Sequence, residues 1–130
     1  MSVAEYLDAV KERLLTDPLI LHFTIVRERS TLTDGHLRAR LTLSNGDLLE
    51  FSEYVTLSST GQIEVVTYSY HWADASGNLI RRWDNAPHFP HLSNFPHHIH
   101  ISREANVTPS KPMDIFQVPD EIAACLSRTD

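Results

Sequence analysis

Between Arg81 and His100 the chain gathers five of its eight histidines: His88, His91, His97, His98 and His100. Arg81, Arg82, Trp83 and Asp84 share the span with three prolines, Pro87, Pro90 and Pro96. Packing alone does not ask for this mixture. Titratable groups on a proline-stiffened segment suit proton transfer or ligand binding near neutral pH.

Two chemistries fit these residues. His98 and His100 alternate with Ile99 and Ile101, so on a strand both imidazoles project from one face. Such a pair can hold a metal ion, with His71, His88, His91 or Asp84 as a third ligand. The other chemistry is acid–base cleavage of a phosphodiester. One imidazole takes a 2′-hydroxyl proton and another protonates the leaving oxygen. An arginine fork then offsets the charge that builds on phosphorus. Consecutive strand residues face opposite ways, so only one of Arg81 and Arg82 can join the site. Arg82 shares its face with Asp84, which would orient a histidine. Trp83, Tyr70 and Trp72 are candidates for stacking on bases, though tryptophans such as Trp72 and Trp83 are more often core residues than stacking platforms. Arg38, Arg40 and Glu50 read as a solvated sheet face. His22 and His36 read as incidental, and Cys125 as a small core residue.

The elements that must present these groups follow from spacing. Ser2 and Glu5 make a capping box, and Val3, Tyr6, Leu7, Val10 and Leu14 recur at helical intervals. This predicts a helix over 3–15, stopped before Pro18. A strand is expected over 19–29, then a turn at Thr33-Asp34-Gly35. Leu37, Ala39, Leu41 and Leu43 alternate with polar residues and enter a hairpin at Ser44-Asn45-Gly46. A two-residue loop there would pair Leu41 with Glu50 and mix the faces. A three-residue loop with Gly46 in the left-handed position pairs Leu41 with Leu49, Ala39 with Phe51 and Arg40 with Glu50. That register keeps one face apolar but puts Glu53 on it, an exception. Val66, Tyr68, Tyr70 and Trp72 are expected on one face of the next strand, with Val65, Thr67, Ser69 and His71 on the other. Strands over 79–83 and 97–102 follow, then a loose linker over 103–118. Pro119-Asp120-Glu121 opens a short helix over 119–127. The reading is an α+β domain: an N-terminal helix packed on an antiparallel meander sheet of five to six strands, with a short C-terminal helix.

A chain of 130 residues predicts a single domain, 1–130. Hydrophobic content of 42% and charged content of 22% are those of a globular protein. No apolar run reaches the length of a membrane span. One cysteine excludes an internal disulfide framework, and Met1–Glu5 lacks the pattern of a signal peptide, which predicts the cytoplasm. The net charge of −6 excludes a surface that is positive throughout, though not a local basic site.

The segment Leu37–Val55, the run Tyr68-Ser69-Tyr70-His71-Trp72, and the block from Arg82-Trp83-Asp84-Asn85-Ala86-Pro87-His88 to Phe95-Pro96-His97-His98-Ile99-His100 resemble the TumE-type toxins of prokaryotic type II toxin–antitoxin modules. The resemblance covers about 1–103. Where family members often carry a second histidine after the Ala-Pro-His step, this chain has Phe89. Its acidic balance also departs from the basic surface common in RNA-cleaving toxins. The resemblance implies a toxin paired with a cognate helix-turn-helix antitoxin, with RNA as substrate and a homodimer left open. A helix followed by a meander also resembles, loosely, RelE- and barnase-like ribonucleases, a likeness of fold alone. Together these predict a metal-independent endoribonuclease with no cofactor. His98 and His100 would be the acid–base pair, with His71 or His88 as substitutes. Arg82 would stabilise phosphate charge and Asp84 would orient an imidazole. The alternative is a non-catalytic binding module whose histidine block docks a metal or a protein partner.

Overall fold

In the computed structural model, which describes residues 1–128, one helix and one meandering sheet account for most of the chain. Helix α1 spans Val3–Thr16. Ser2 and Glu5 close the expected capping box, each side chain accepting from the other's backbone N–H, at 3.0 and 2.8 Å. Val3, Tyr6, Leu7, Val10 and Leu14 form its buried stripe. Each aliphatic member contributes roughly 1.5–3 kcal/mol over its exposed state.

Seven strands follow: β1 (Ile20–Ser30), β2 (Asp34–Leu43), β3 (Leu48–Leu57), β4 (Ile63–Ala73), β5 (Leu79–Asp84), β6 (His98–Ile101) and β7 (Val107–Pro109). Each pairs antiparallel with its sequence neighbours, in the order β1 to β7. Helix α2 spans Val118–Ser127. The α+β meander is as expected. The β2–β3 register is the one that the three-residue loop requires: Leu41 opposite Leu49, Ala39 opposite Phe51, Arg40 opposite Glu50. Gly46 there has φ 92°.

Four expectations need correction. The sheet has seven strands rather than five to six, because β7 lies in the stretch read as linker. That stretch is not loose. Past β7 it forms a C-terminal arm, 110–117, that buries Met113 and Ile115, and the Ile115 N–H donates to Glu53 at 2.8 Å. The turn expected at Thr33-Asp34-Gly35 ends earlier, with Asp34 and Gly35 already in β2. Gly35 sits beneath α1, where a Cβ would come within 2.7 Å of Val3 Cγ1. Finally, the faces of β4 switch at a bulge: Thr67 pairs with Tyr54 but Val65 with Val55, so Val66 is the extra residue. Val65 packs on the core and Val66 turns outward, the reverse of the expected alternation. Asn85 serves the bulge, donating to the Val66 carbonyl at 2.8 Å and accepting from the Tyr68 N–H at 3.0 Å.

Candidate functional site

Two rows of side chains cross the face of the sheet opposite α1. Register aligns Arg38, Ser52, Ser69, Asp84 and His98 in one row. Arg40, Glu50, His71, Arg82 and His100 form the next. Strand alternation turns both rows away from the core. Ser52 and Ser69 are short, so the first row is low between Arg38 and Asp84. A cleft of about 570 Å³ opens there, walled also by His88 and Phe89. A second hollow of about 330 Å³ shares Arg38 and Arg82 with it and adds Glu50 and His71.

One wall of the cleft is a buried polar cluster. Asp84, His98 and His100 come from the paired ends of β5 and β6, and all three are buried. The Nδ1 of His98 lies 2.9 Å from the Pro96 carbonyl oxygen, and that of His100 lies 2.8 Å from the Glu104 carbonyl oxygen. A carbonyl only accepts, so both Nδ1 atoms carry protons. The two Nε2 atoms therefore face Asp84, at 2.9 Å from Oδ1 for His98 and 3.5 Å from Oδ2 for His100. The His98 contact has ion-pair distance without hydrogen-bond alignment, and its buried Nε2 has no hydrogen-bond partner among the described residues. Asp84, His98 and His100 each offer a ligand atom within 4.8 Å of the others, close enough for one metal ion. Phe89 stands edge-on over both imidazoles, at 4.9 and 5.9 Å between ring centres.

Arg82 bounds the cluster on its open side. Its Nε donates to Asp84 Oδ2 at 3.0 Å, its Nη2 to His100 Nε2 at 3.1 Å, and its Nη1 to the Glu104 carboxylate. Burial works against the guanidinium charge, but Glu104 and Asp84 outweigh it and hold the arginine's pKa above its ordinary value. The same hydrogen bond from Arg82 pulls the Glu104 carboxyl below its usual range. Asp84 Oδ1 also accepts the Ala86 N–H at 3.0 Å.

Four of the residues singled out from sequence thus meet at one spot: Arg82, Asp84, His98 and His100. His88 is on the cleft rim and His71 in the adjoining hollow. His91 stands exposed on the loop. His97 turns the other way, stacking on Tyr68 with Nδ1 2.8 Å from the tyrosine oxygen, and burial lowers its pKa. Tyr70, Trp72 and Trp83 are buried on the core face, so none can stack on a base in the cleft. Arg38, Ser52, Ser69 and Glu104 also line the cleft, and sequence reading did not place them there. Arg38, part of the expected solvated sheet face, is partly exposed there, ion-pairs with Glu50 at 2.9 Å and also lines the cleft. The β2–β3 register, which aligns Arg38 with Ser52, carried that signal. His36, read as incidental, lies on the same face with Nε2 2.9 Å from Ser52 Oγ. Burial first, then Arg27, Arg38 and Arg29, lower its pKa.

Among the described residues no helix is long and apolar enough to cross a membrane. Neither a curated protein nor a solved structure matches the chain. The family model of the toxin TumE matches residues 10–128. That span takes in every strand, both rows of the cleft, and the arm and α2 beyond the 103 residues on which the resemblance was read. A toxin family implies an antitoxin partner. The match covers nearly the whole chain and all of the site, and the chain belongs to the TumE toxin family.

Proposed function

We propose that this toxin is an endoribonuclease that cleaves RNA in the sheet-face cleft. It would act in the cytoplasm and be held inactive by a cognate helix-turn-helix antitoxin. The observation that supports this reading is the meeting of Arg38, Arg82 and His88 around a trough floored by Ser52 and Ser69. Guanidinium groups on two sides of a trough suit a phosphate, and the low floor leaves room for the ribose backbone. With a net charge of −6 the whole molecule does not draw RNA in, so binding rests on these local cations.

Sequence reading gave the acid–base roles to His98 and His100. Their hydrogen bonds argue for a division of labour instead. Both turn Nε2 inward on Asp84 and commit Nδ1 to backbone carbonyls. We assign proton transfer to the substitutes: His88 on the rim and His71, which pairs with Arg82 across β4 and β5. One imidazole would remove the 2′-hydroxyl proton and the other would protonate the departing 5′-oxygen. Arg82 would carry the developing phosphorane charge, positioned by Asp84 and His100. These steps are assigned to side chains alone.

Incubating the purified protein with a synthetic oligoribonucleotide tests the reading. Fragments ending in 2′,3′-cyclic phosphate are expected, and none from the DNA of the same sequence. A folded protein that stops growth but leaves RNA intact would overturn it in favour of the non-catalytic binding module.

A further inference from the structure

The geometry points to a transition-metal site at Asp84, His98 and His100, whether or not the cleft acts on RNA. The first ground is the tautomer. Both histidines donate Nδ1–H to main-chain carbonyls, which leaves a bare Nε2 on each neutral ring. Those nitrogens lie close to carboxylate oxygens of Asp84, at 2.9 Å for His98 and 3.5 Å for His100. A lone pair 2.9 Å from an anionic oxygen is repulsive unless a cation stands between them. Arg82 supplies that cation for His100, but among the described residues none supplies it for His98, whose buried Nε2 lacks a hydrogen-bond partner there.

The second ground is spacing. Donors bound at 2.0–2.1 Å around a tetrahedral ion lie roughly 3.3 Å apart. The carboxylate-to-imidazole distances of 2.9 and 3.5 Å bracket that value. The third is support. Metal-binding histidines usually fix their second nitrogen on a carbonyl or carboxylate, and ligating carboxylates are themselves hydrogen-bonded. Both conditions hold here, the second through the Ala86 N–H. Two imidazoles and one carboxylate suit a borderline ion such as Zn²⁺ over Mg²⁺ or Ca²⁺, which take oxygen donors. On entry the ion takes the His100 lone pair from Arg82, whose guanidinium keeps Glu104.

Calorimetric titration of untagged protein with Zn²⁺ tests the site. One ion per chain is expected. D84N should weaken binding at least tenfold and H100Q should abolish it, while H88Q/H91Q keeps it. Nitrogen-15 spectra of the wild-type histidines give a readout independent of any variant's folding: Zn²⁺ should shift the ε2 nitrogens of His98 and His100 first. No saturable binding would overturn the site, leaving a proton between His98 and Asp84. So would binding that survives H100Q and is lost in H88Q/H91Q. RNA cleavage is not read in either measurement, so the ribonuclease reading and the metal site stand or fall separately.

Discussion

The phenolic oxygen of Tyr70 lies 2.6 Å from the Glu53 carboxylate, inside the core between the sheet and α1. Tyr6 donates to the other carboxylate oxygen at 2.7 Å, and the Ile115 N–H donates at 2.8 Å. This resolves the exception in the β3 pattern. Glu53 is on the apolar face because three buried donors from α1, β4 and the C-terminal arm require one acceptor. Glu53→Ala strands Tyr6 and the Ile115 N–H, leaves Tyr70 only a long contact of 3.4 Å to the Met113 carbonyl, and should cost on the order of 3 kcal/mol. It should also make the stretch 103–117 more open to limited proteolysis than it is in the wild type.

Glu53 also predicts a pH dependence. Burial raises its pKa, against the pull of hydrogen bonds from Tyr70, Tyr6 and Ile115. From the ordinary value of 4.5 up to the raised one, the folded chain keeps a proton that the unfolded chain has released. This contribution is complete below 4.5 and fades as pH climbs through the folded value. Urea melts across that range should show stability falling with pH in the wild type and a flatter response in Glu53→Gln. Equal slopes in the two proteins would refute the assignment.

Gly35 tests how closely α1 lies on β2. A Cβ there would meet Val3 Cγ1 at 2.7 Å and the Arg29 carbonyl at 3.2 Å. The backbone beneath it cannot yield as a side chain can, so Gly35→Ala should destabilise by about 1–3 kcal/mol. Val3→Ala in the same chain should recover part of that loss, because it removes the closer obstacle. Additive losses in the double variant would sink this reading.

Asn85 predicts a coupled effect on the sheet and the loop. Its amide bonds both backbone groups that the β4 bulge leaves open. Asn85→Ala should cost roughly 1–3 kcal/mol. It should also accelerate amide exchange at Tyr68, with little change at the distant Leu41. Unaltered protection at Tyr68 would count against the role.

In the cleft, His88 offers the clean separation of chemistry from folding. It is exposed, so His88→Ala should leave the melting temperature unchanged while abolishing growth inhibition. Arg82→Ala should abolish inhibition too. It also removes hydrogen bonds to Asp84 and His100, so a loss of about 1–3 kcal/mol should accompany it. Full toxicity in a folded His88→Ala protein would remove that residue from the mechanism.

What could be read in advance follows from which interactions are local. The capping box, the β2–β3 register and the projection of His98 and His100 all depend on residues close in sequence, where period and turn chemistry decide. The β4 bulge depends on Asn85, a residue 19 positions from Val66, and no alternation rule announces that. The arm looked loose because Asn106 to Pro112 carries no strong period. Its anchor is Glu53, 62 residues earlier. Arg38 looked like solvent-facing surface because a strand's outer face reads the same whether it meets bulk water or a cleft.

The pairing order of the sheet has a consequence for how the molecule comes into being. Every strand joins the one made just before it, so β1 to β4 can zip together as the nascent chain leaves the ribosome. The cleft cannot exist at that stage, since Asp84, His98 and His100 are still to be synthesised. Nor is the Glu53 carboxylate fully capped until Ile115 arrives. On the proposed function, competence would come late in translation, giving an antitoxin an interval in which to meet a half-built sheet that cannot yet act.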